Sequence, residues 1–166
     1  MATSAELLTV YRLARRSVYQ ATAGLAQQDA VWKPAGQVKS IQELLVHLGG
    51  AERYWLSLLG YQVPDWPEGD ALENSLAFLR EMETLLVHSV EAATPEAFNR
   101  QIKTARGPLS LAWTVKRVTQ HVFYHLGTLV YLRRVREPGW PAEAGLSYWQ
   151  EAADGFSQLV PGDAAR

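Results

Sequence analysis

Among the four histidines of the chain, His121 and His125 stand four positions apart in a segment whose apolar residues recur every three to four. On a helix that spacing stacks both imidazoles on one face, with Cβ atoms about 5–6 Å apart, close enough to grip one metal ion. Chance supplies roughly 0.07 such pairs in a chain with this many histidines. From the spacing alone, two ordinary helix histidines, one hydrogen-bonded and one exposed, are an equal reading, and a third ligand tips the balance. His47 is the candidate. It lies three residues after Leu44 and four before Ala51, at the edge of another apolar stripe, and so it too points inward. Two helices then bring one and two imidazoles to a single ion and leave positions for water or substrate. Alone, His47 reads as a satisfied core histidine. His88 sits among Glu81, Thr84 and Glu91 and reads as a surface residue.

Three neutral imidazoles leave a bound divalent ion its full charge, so a water on it is acidified toward neutrality and a thiol is deprotonated. Candidate acids or bases nearby are Glu43, one turn before His47, Glu52, five residues after it, and Tyr124, beside His125. Glu43 is more simply the glutamate of a helix cap, and Tyr124, rotated by ~100° from the ligand, belongs in the core or just behind the ligands. Arg117 and Arg133 could hold an anionic substrate, with solvated surface positions as the default. Trp55, Trp66, Trp113, Tyr54 and Tyr61 read as a pocket or dimer seam, or as ordinary core and rim packing.

Composition narrows the partners. With 16 basic and 17 acidic residues, the net charge of -1 lacks the basic excess of a non-specific nucleic-acid binder. The absence of cysteine excludes disulfides, thiolate metal sites and iron–sulfur clusters. No stretch approaches the ~18 uninterrupted apolar residues of a membrane span, and residues 1–10 carry no signal-like apolar region. A cytoplasmic protein follows.

The elements that must position the histidines are helices. Thr3-Ser4-Ala5-Glu6 and Ser40-Ile41-Gln42-Glu43 are capping boxes. The first opens a helix to about Gly24 with Leu7, Val10, Tyr11, Ala14, Val18 and Ala21 on its apolar stripe and Arg12, Arg15 and Arg16 off it. The second opens a helix through Leu44, Leu45, Leu48 and Trp55 that stops at Gly60. A third runs from Leu72 to Val90, and Thr94-Pro95-Glu96 caps a short extra turn. A fourth starts at Pro108 or Ser110 and runs to about Arg136. Residues 27–39 read as a loop in which Trp32 packs back on the bundle, residues 61–69 as a second loop, and no segment reads as a strand. The expectation is an all-α four-helix bundle with long crossover loops, forming one domain over residues 1–166. Its core spans about residues 5–136. Residues 137–166 are a C-terminal extension with a short helix at Ser147 to Leu159 and a frayed tail, in which Trp140, Tyr148 and Trp149 cover the bundle or a partner.

Trp32-Lys33-Pro34, Ser40-Ile41-Gln42-Glu43-Leu44-Leu45-Val46-His47-Leu48, His121-Val122-Phe123-Tyr124-His125-Leu126-Gly127 and Tyr131-Leu132-Arg133 together resemble the DinB/YfiT-like superfamily of metal-dependent proteins. The resemblance implies a four-helix bundle, commonly dimeric. It also implies a divalent ion, zinc or nickel, held by His47 on the second long helix and by His121 and His125 on the fourth. Where the family often has His-Arg-Gly-Gln, this chain has His125-Leu126-Gly127-Thr128, so Thr128 replaces a glutamine that could orient a ligand. The implied activity is thiol transfer or hydrolysis on a small molecule, with a low-molecular-weight thiol as a possible partner. The alternative is a non-catalytic metal-binding or stress-related interaction module.

Overall fold

The computed structural model describes residues 3–36 and 39–140. In chain order the elements are α1 (Ser4–Thr22), α2 (Gln27–Ala30), α3 (Ile41–Leu58), α4 (Leu72–Glu91), α5 (Pro95–Asn99), β1 (Ile102–Thr104), β2 (Gly107–Leu109) and α6 (Leu111–Arg136). Both capping boxes form as expected: Thr3 Oγ1 accepts from the Glu6 N–H and Glu6 accepts from the Thr3 N–H, and Ser40 and Glu43 repeat the exchange. Each satisfies two backbone donors that a helix start otherwise leaves to water. Ser110 caps α6 through the Trp113 N–H, and the extra turn at Pro95 forms under the Thr94 hydroxyl.

Two local elements depart from the sequence expectation. The loop after α1 contains the four-residue helix α2, whose Gln27 side chain bonds Gln42 and the backbone at Asp70 and Leu72 and so ties three segments together. Residues 102–109, with no strand expected, form a two-stranded antiparallel hairpin that turns at residues 105–106 and enters β2 at Gly107, whose φ of +95° suits a residue without Cβ. The expected C-terminal helix lies outside the described residues, as do Tyr148 and Trp149.

The four long helices form a bundle in which α1 packs on α6, α6 on α3, α3 on α4, and α4 more lightly on α1. Two apolar clusters fix the directions. Ala14, Val18 and Ala21 of α1 join Ile41, Leu44, Leu45 and Leu48 of α3, Leu72 and Leu79 of α4, and Leu126 and Leu129 of α6. Leu7, Leu8 and Tyr11 join Leu56, Met82, Leu86, Val115 and Val118. Hence α1 and α6 run one way and α3 and α4 the other. Parallel neighbours α3 and α4 need a connection that runs back along the bundle, and residues 61–71 supply it. Trp66 of this strap lies against Gly50, where a Cβ would come within 2.5 Å of the indole, and over Phe78 at 5.6 Å between ring centres.

One side-chain placement overturns the sequence reading. Arg15, expected off the apolar stripe, is fully buried at the centre of the bundle. Its guanidinium reaches Glu52 of α3 at 3.3 Å and the Leu79 carbonyl of α4, while Tyr11 Oη donates to Glu52 at 3.1 Å. Glu83, bonded by Tyr19 Oη, lies 3.7 Å from Arg15 Nε. Only Nη2 is hydrogen-bonded, while Nε and Nη1 have no such partner, so the buried cation is held chiefly by the charges of Glu52 and Glu83.

Candidate metal centre

The rotation of α3 is set by Leu44, Leu45 and Leu48, all at most 2% exposed, which leaves His47 half-buried at the border of the buried face. On α6, Val118, Val122 and Leu126 do the same for His121 and His125. Because α3 and α6 run antiparallel side by side, the three imidazoles converge in the groove between them. His121 Nε2 lies 3.0 Å from His47 Nε2 and 3.0 Å from His125 Nε2. The rings meet edge to face, with centres 4.5–4.7 Å apart. The ligand atoms of all three lie within 4.8 Å of one another, and among the described residues no carboxylate joins the group.

Hydrogen bonding among the rings does not account for this convergence. A neutral imidazole nitrogen offers either one N–H or one lone pair. His121 Nε2 faces two ring nitrogens and can pair properly with only one. A cation accepting a lone pair from each nitrogen at ~2.0–2.1 Å satisfies all three, so the residues present fit a divalent ion. Protonation favours the same outcome. Burial, the neighbouring imidazoles and Arg117 push His121 down to about 4. Burial, His47 and Lys39 push His125 down to about 4, and burial and Lys39 lower His47. All three rings are therefore neutral near pH 7, the state in which imidazole binds metals.

The other sequence candidates divide. Glu43 serves its helix cap and Lys33, whose Nζ donates at 2.7 Å, and these bonds hold its carboxylate below the usual range. Glu52 faces the bundle interior, bonded to Tyr11 and Arg15, with burial raising its carboxyl to about 7; it is not beside the histidines. Tyr124 is no core residue: it is 75% exposed, its ring centre 4.8 Å from that of His125. His88 is exposed, as expected. Arg133 neither binds solvent nor faces the groove, because it donates to the Ala21 and Ala23 carbonyls, pairs with Glu137 and lies 4.8 Å from the ring of Trp140. Trp140 thus covers the bundle, as Trp32 does beside Arg136. Arg117 is exposed and within electrostatic reach of His121.

The aromatic residues form two groups. Trp66 lines a cleft of about 460 Å³ with Lys33, Gln42, Glu43 and Asp70. Tyr54, Trp55 and Trp113 stack edge to face at 4.9 and 5.0 Å in the α3–α6 groove. Sequence reasoning missed Arg106, whose Nε donates to Tyr54 Oη at 2.7 Å from the hairpin turn. It also missed the Arg15–Glu52 pair, although Glu52 lies four residues after Leu48 and four before Leu56, the middle of a buried stripe.

The DinB superfamily model matches residues 11–129, a span containing all three histidines. No curated protein matches the chain. No helix among the described residues is long and apolar enough to cross a membrane.

Proposed function

The chain belongs to the DinB superfamily, and from that premise we propose that it is a cytoplasmic, dimeric, divalent-metal-dependent enzyme acting on a small molecule, by thiol transfer or hydrolysis. The observation that carries this reading is the convergence of His47, His121 and His125 Nε2 on one point at the half-exposed edge of the bundle. These residues would hold zinc or nickel, which imidazole suits equally. A divalent ion there supplies Lewis-acid chemistry, acidifying a bound water or thiol.

The chain's own residues define what a substrate meets. Leu44, Leu48, Val122 and Leu126 close the inner side of the imidazoles, so approach is from the groove. Tyr124 stands over His125 with its ring exposed, as a wall against which a substrate can be oriented. The exposed Tyr131 and Val135 along α6 support pairing of two copies.

A second reading has its own observation: Glu43 and Glu52 are both engaged elsewhere, so among the described residues no carboxylate base stands at the centre. That favours a non-catalytic metal-binding or interaction module. Elemental analysis of untagged protein beside a His121→Ala, His125→Ala double variant tests the shared premise. About one divalent ion per chain is expected, and the variant should lose it; equal sub-stoichiometric metal in both, not restored by zinc or nickel, sinks both readings. Turnover of the metal-loaded protein across a thiol-transfer and hydrolysis panel then separates the enzyme from the module.

A further inference from the structure

We propose that the substrate of this centre is a small acid, whose carboxylate is seated by Arg117 and Arg106 beside Tyr54 and Trp113 while its reacting end lies at the three imidazoles. The inference rests on the metal reading above and adds the chemical class of the substrate. Along α6, Arg117 is one turn before His121 and Trp113 one turn further, on the same face. Along antiparallel α3, Tyr54 is two turns after His47, again on the same face. The stack from Tyr54 through Trp55 to Trp113 shows that these two faces meet below the histidines. Arg106 enters from the turn between β1 and β2, donates to Tyr54 Oη at 2.7 Å and places its guanidinium 5.9 Å from the Tyr54 ring. The groove therefore continues from the imidazoles into a shelf of two rings, each 38% exposed, with two exposed guanidinium groups.

Charge is the discriminating feature. Residues 111–136 contain no acid, and of their cations Arg133 pairs with Glu137 and Arg136 with Asp29, whereas Arg117 lies within electrostatic reach of His121. On α3 the only acids are Glu43, bonded to Lys33 and its own cap, and Glu52, buried against Arg15 and Tyr11. Among the described residues neither Arg106 nor Arg117 forms an ion pair. At the other end of the histidines, Lys39 lies within electrostatic reach of His47 and His125. A groove with cations at both ends, and a divalent ion between them, attracts an anion and repels an amine. Guanidinium groups are suited to a carboxylate because their planar donors match its two oxygens.

The test is calorimetric titration of zinc-loaded protein, its metal content checked by elemental analysis, with three thiols of different charge: 3-mercaptopropionate, 2-mercaptoethanol and cysteamine. The expected order is 3-mercaptopropionate tightest, by about tenfold over 2-mercaptoethanol, and cysteamine weakest. In Arg106→Gln, Arg117→Gln protein the advantage of the acid should fall to about twofold or less, with 2-mercaptoethanol affinity unchanged. Arg106 and Arg117 are exposed, so the variant should fold; its circular dichroism and zinc content check this. Equal affinity for the acid and the neutral thiol, or an acid preference that survives in the variant, overturns the proposal and leaves the metal reading standing. Failure of all three thiols to bind protein of confirmed zinc content overturns the proposal together with thiol transfer, and leaves metal binding standing.

Discussion

His121 stands between the other two imidazoles, 3.0 Å from each, and its protonation governs the centre's behaviour in acid. In the folded chain His121 and His125 take up protons only near pH 4, whereas unfolded histidine does so near 6.5. Between those values the unfolded state binds more protons, so each ring removes stability as pH falls from 6.5 toward 4. Glu52 has the opposite sign. Its folded value of about 7 lies above its unfolded 4.5, so its contribution is fullest below 4.5 and is lost as pH rises to 7. The expected outcome for metal-free protein is that replacing His121 and His125 by alanine flattens the fall in melting temperature between pH 6.5 and 4. Glu52, present in both proteins, cancels from the difference. Calorimetric scans at a series of pH values check this, and equal slopes in the two proteins would count against neutral, crowded imidazoles. The histidines were legible because metal chemistry needs particular residue types, and a spacing of four advertises them. Tyr124 was not, since one apolar-looking ring between two ligands gives no sign of which way it faces.

The helices owe their legibility to caps and stripes. Thr3/Glu6 and Ser40/Glu43 fixed two helix starts to the residue, because side-chain oxygens beside free N–H groups follow from local geometry alone. The hairpin at residues 102–109 was not legible: three-residue strands are too short to show alternation. Arg15 was misread for another reason, that a buried charge is stabilised by partners on other elements, here Glu52 on α3 and the Leu79 carbonyl on α4. Removing one member strands the other. Glu52→Ala is expected to destabilise the fold by about 3–5 kcal/mol, and Arg15→Met together with Glu52→Met to recover most of that loss. Urea unfolding of the single and double variants measures both. The paired glycines of α3 make a second contrast. A Cβ at Gly49 would come within 2.7 Å of Phe78, which is 3% exposed and enclosed, whereas Gly50 faces Trp66, which is 52% exposed and can move. Gly49→Ala should therefore cost roughly 1–3 kcal/mol, less the helix propensity gained, and Gly50→Ala less than that. A larger loss at Gly50 in the same unfolding assay would place the tighter contact under the strap.

Across the molecule, periodicity was enough to predict a bundle, but not which helices are neighbours. That arrangement depends on how connections run: residues 23–40 carry the chain diagonally from α1 to α3, and residues 61–71 carry it back beside them so that α3 and α4 lie parallel. The proposed pairing of two copies through α6 belongs to this scale too. Light scattering should return about twice 18.5 kDa, and replacing Tyr131 by glutamate should shift the mass toward one chain. A mass of one chain for the unaltered protein would reject the dimer.

The neighbour that α1 packs on most extensively, α6, is also the last long helix to be synthesised among the described residues. A chain emerging from the ribosome carries α1 with its apolar stripe uncovered while about a hundred further residues are made, at ~5–20 residues per second. During those seconds Arg15 already carries its charge, and Tyr11 and Val18 have no α6 to cover them. His47 waits equally for partners 74 and 78 positions later. Closure of the bundle and assembly of the three-histidine cluster are thus one event in the life of the chain, so metal cannot meet its full set of ligands before α6 is in place.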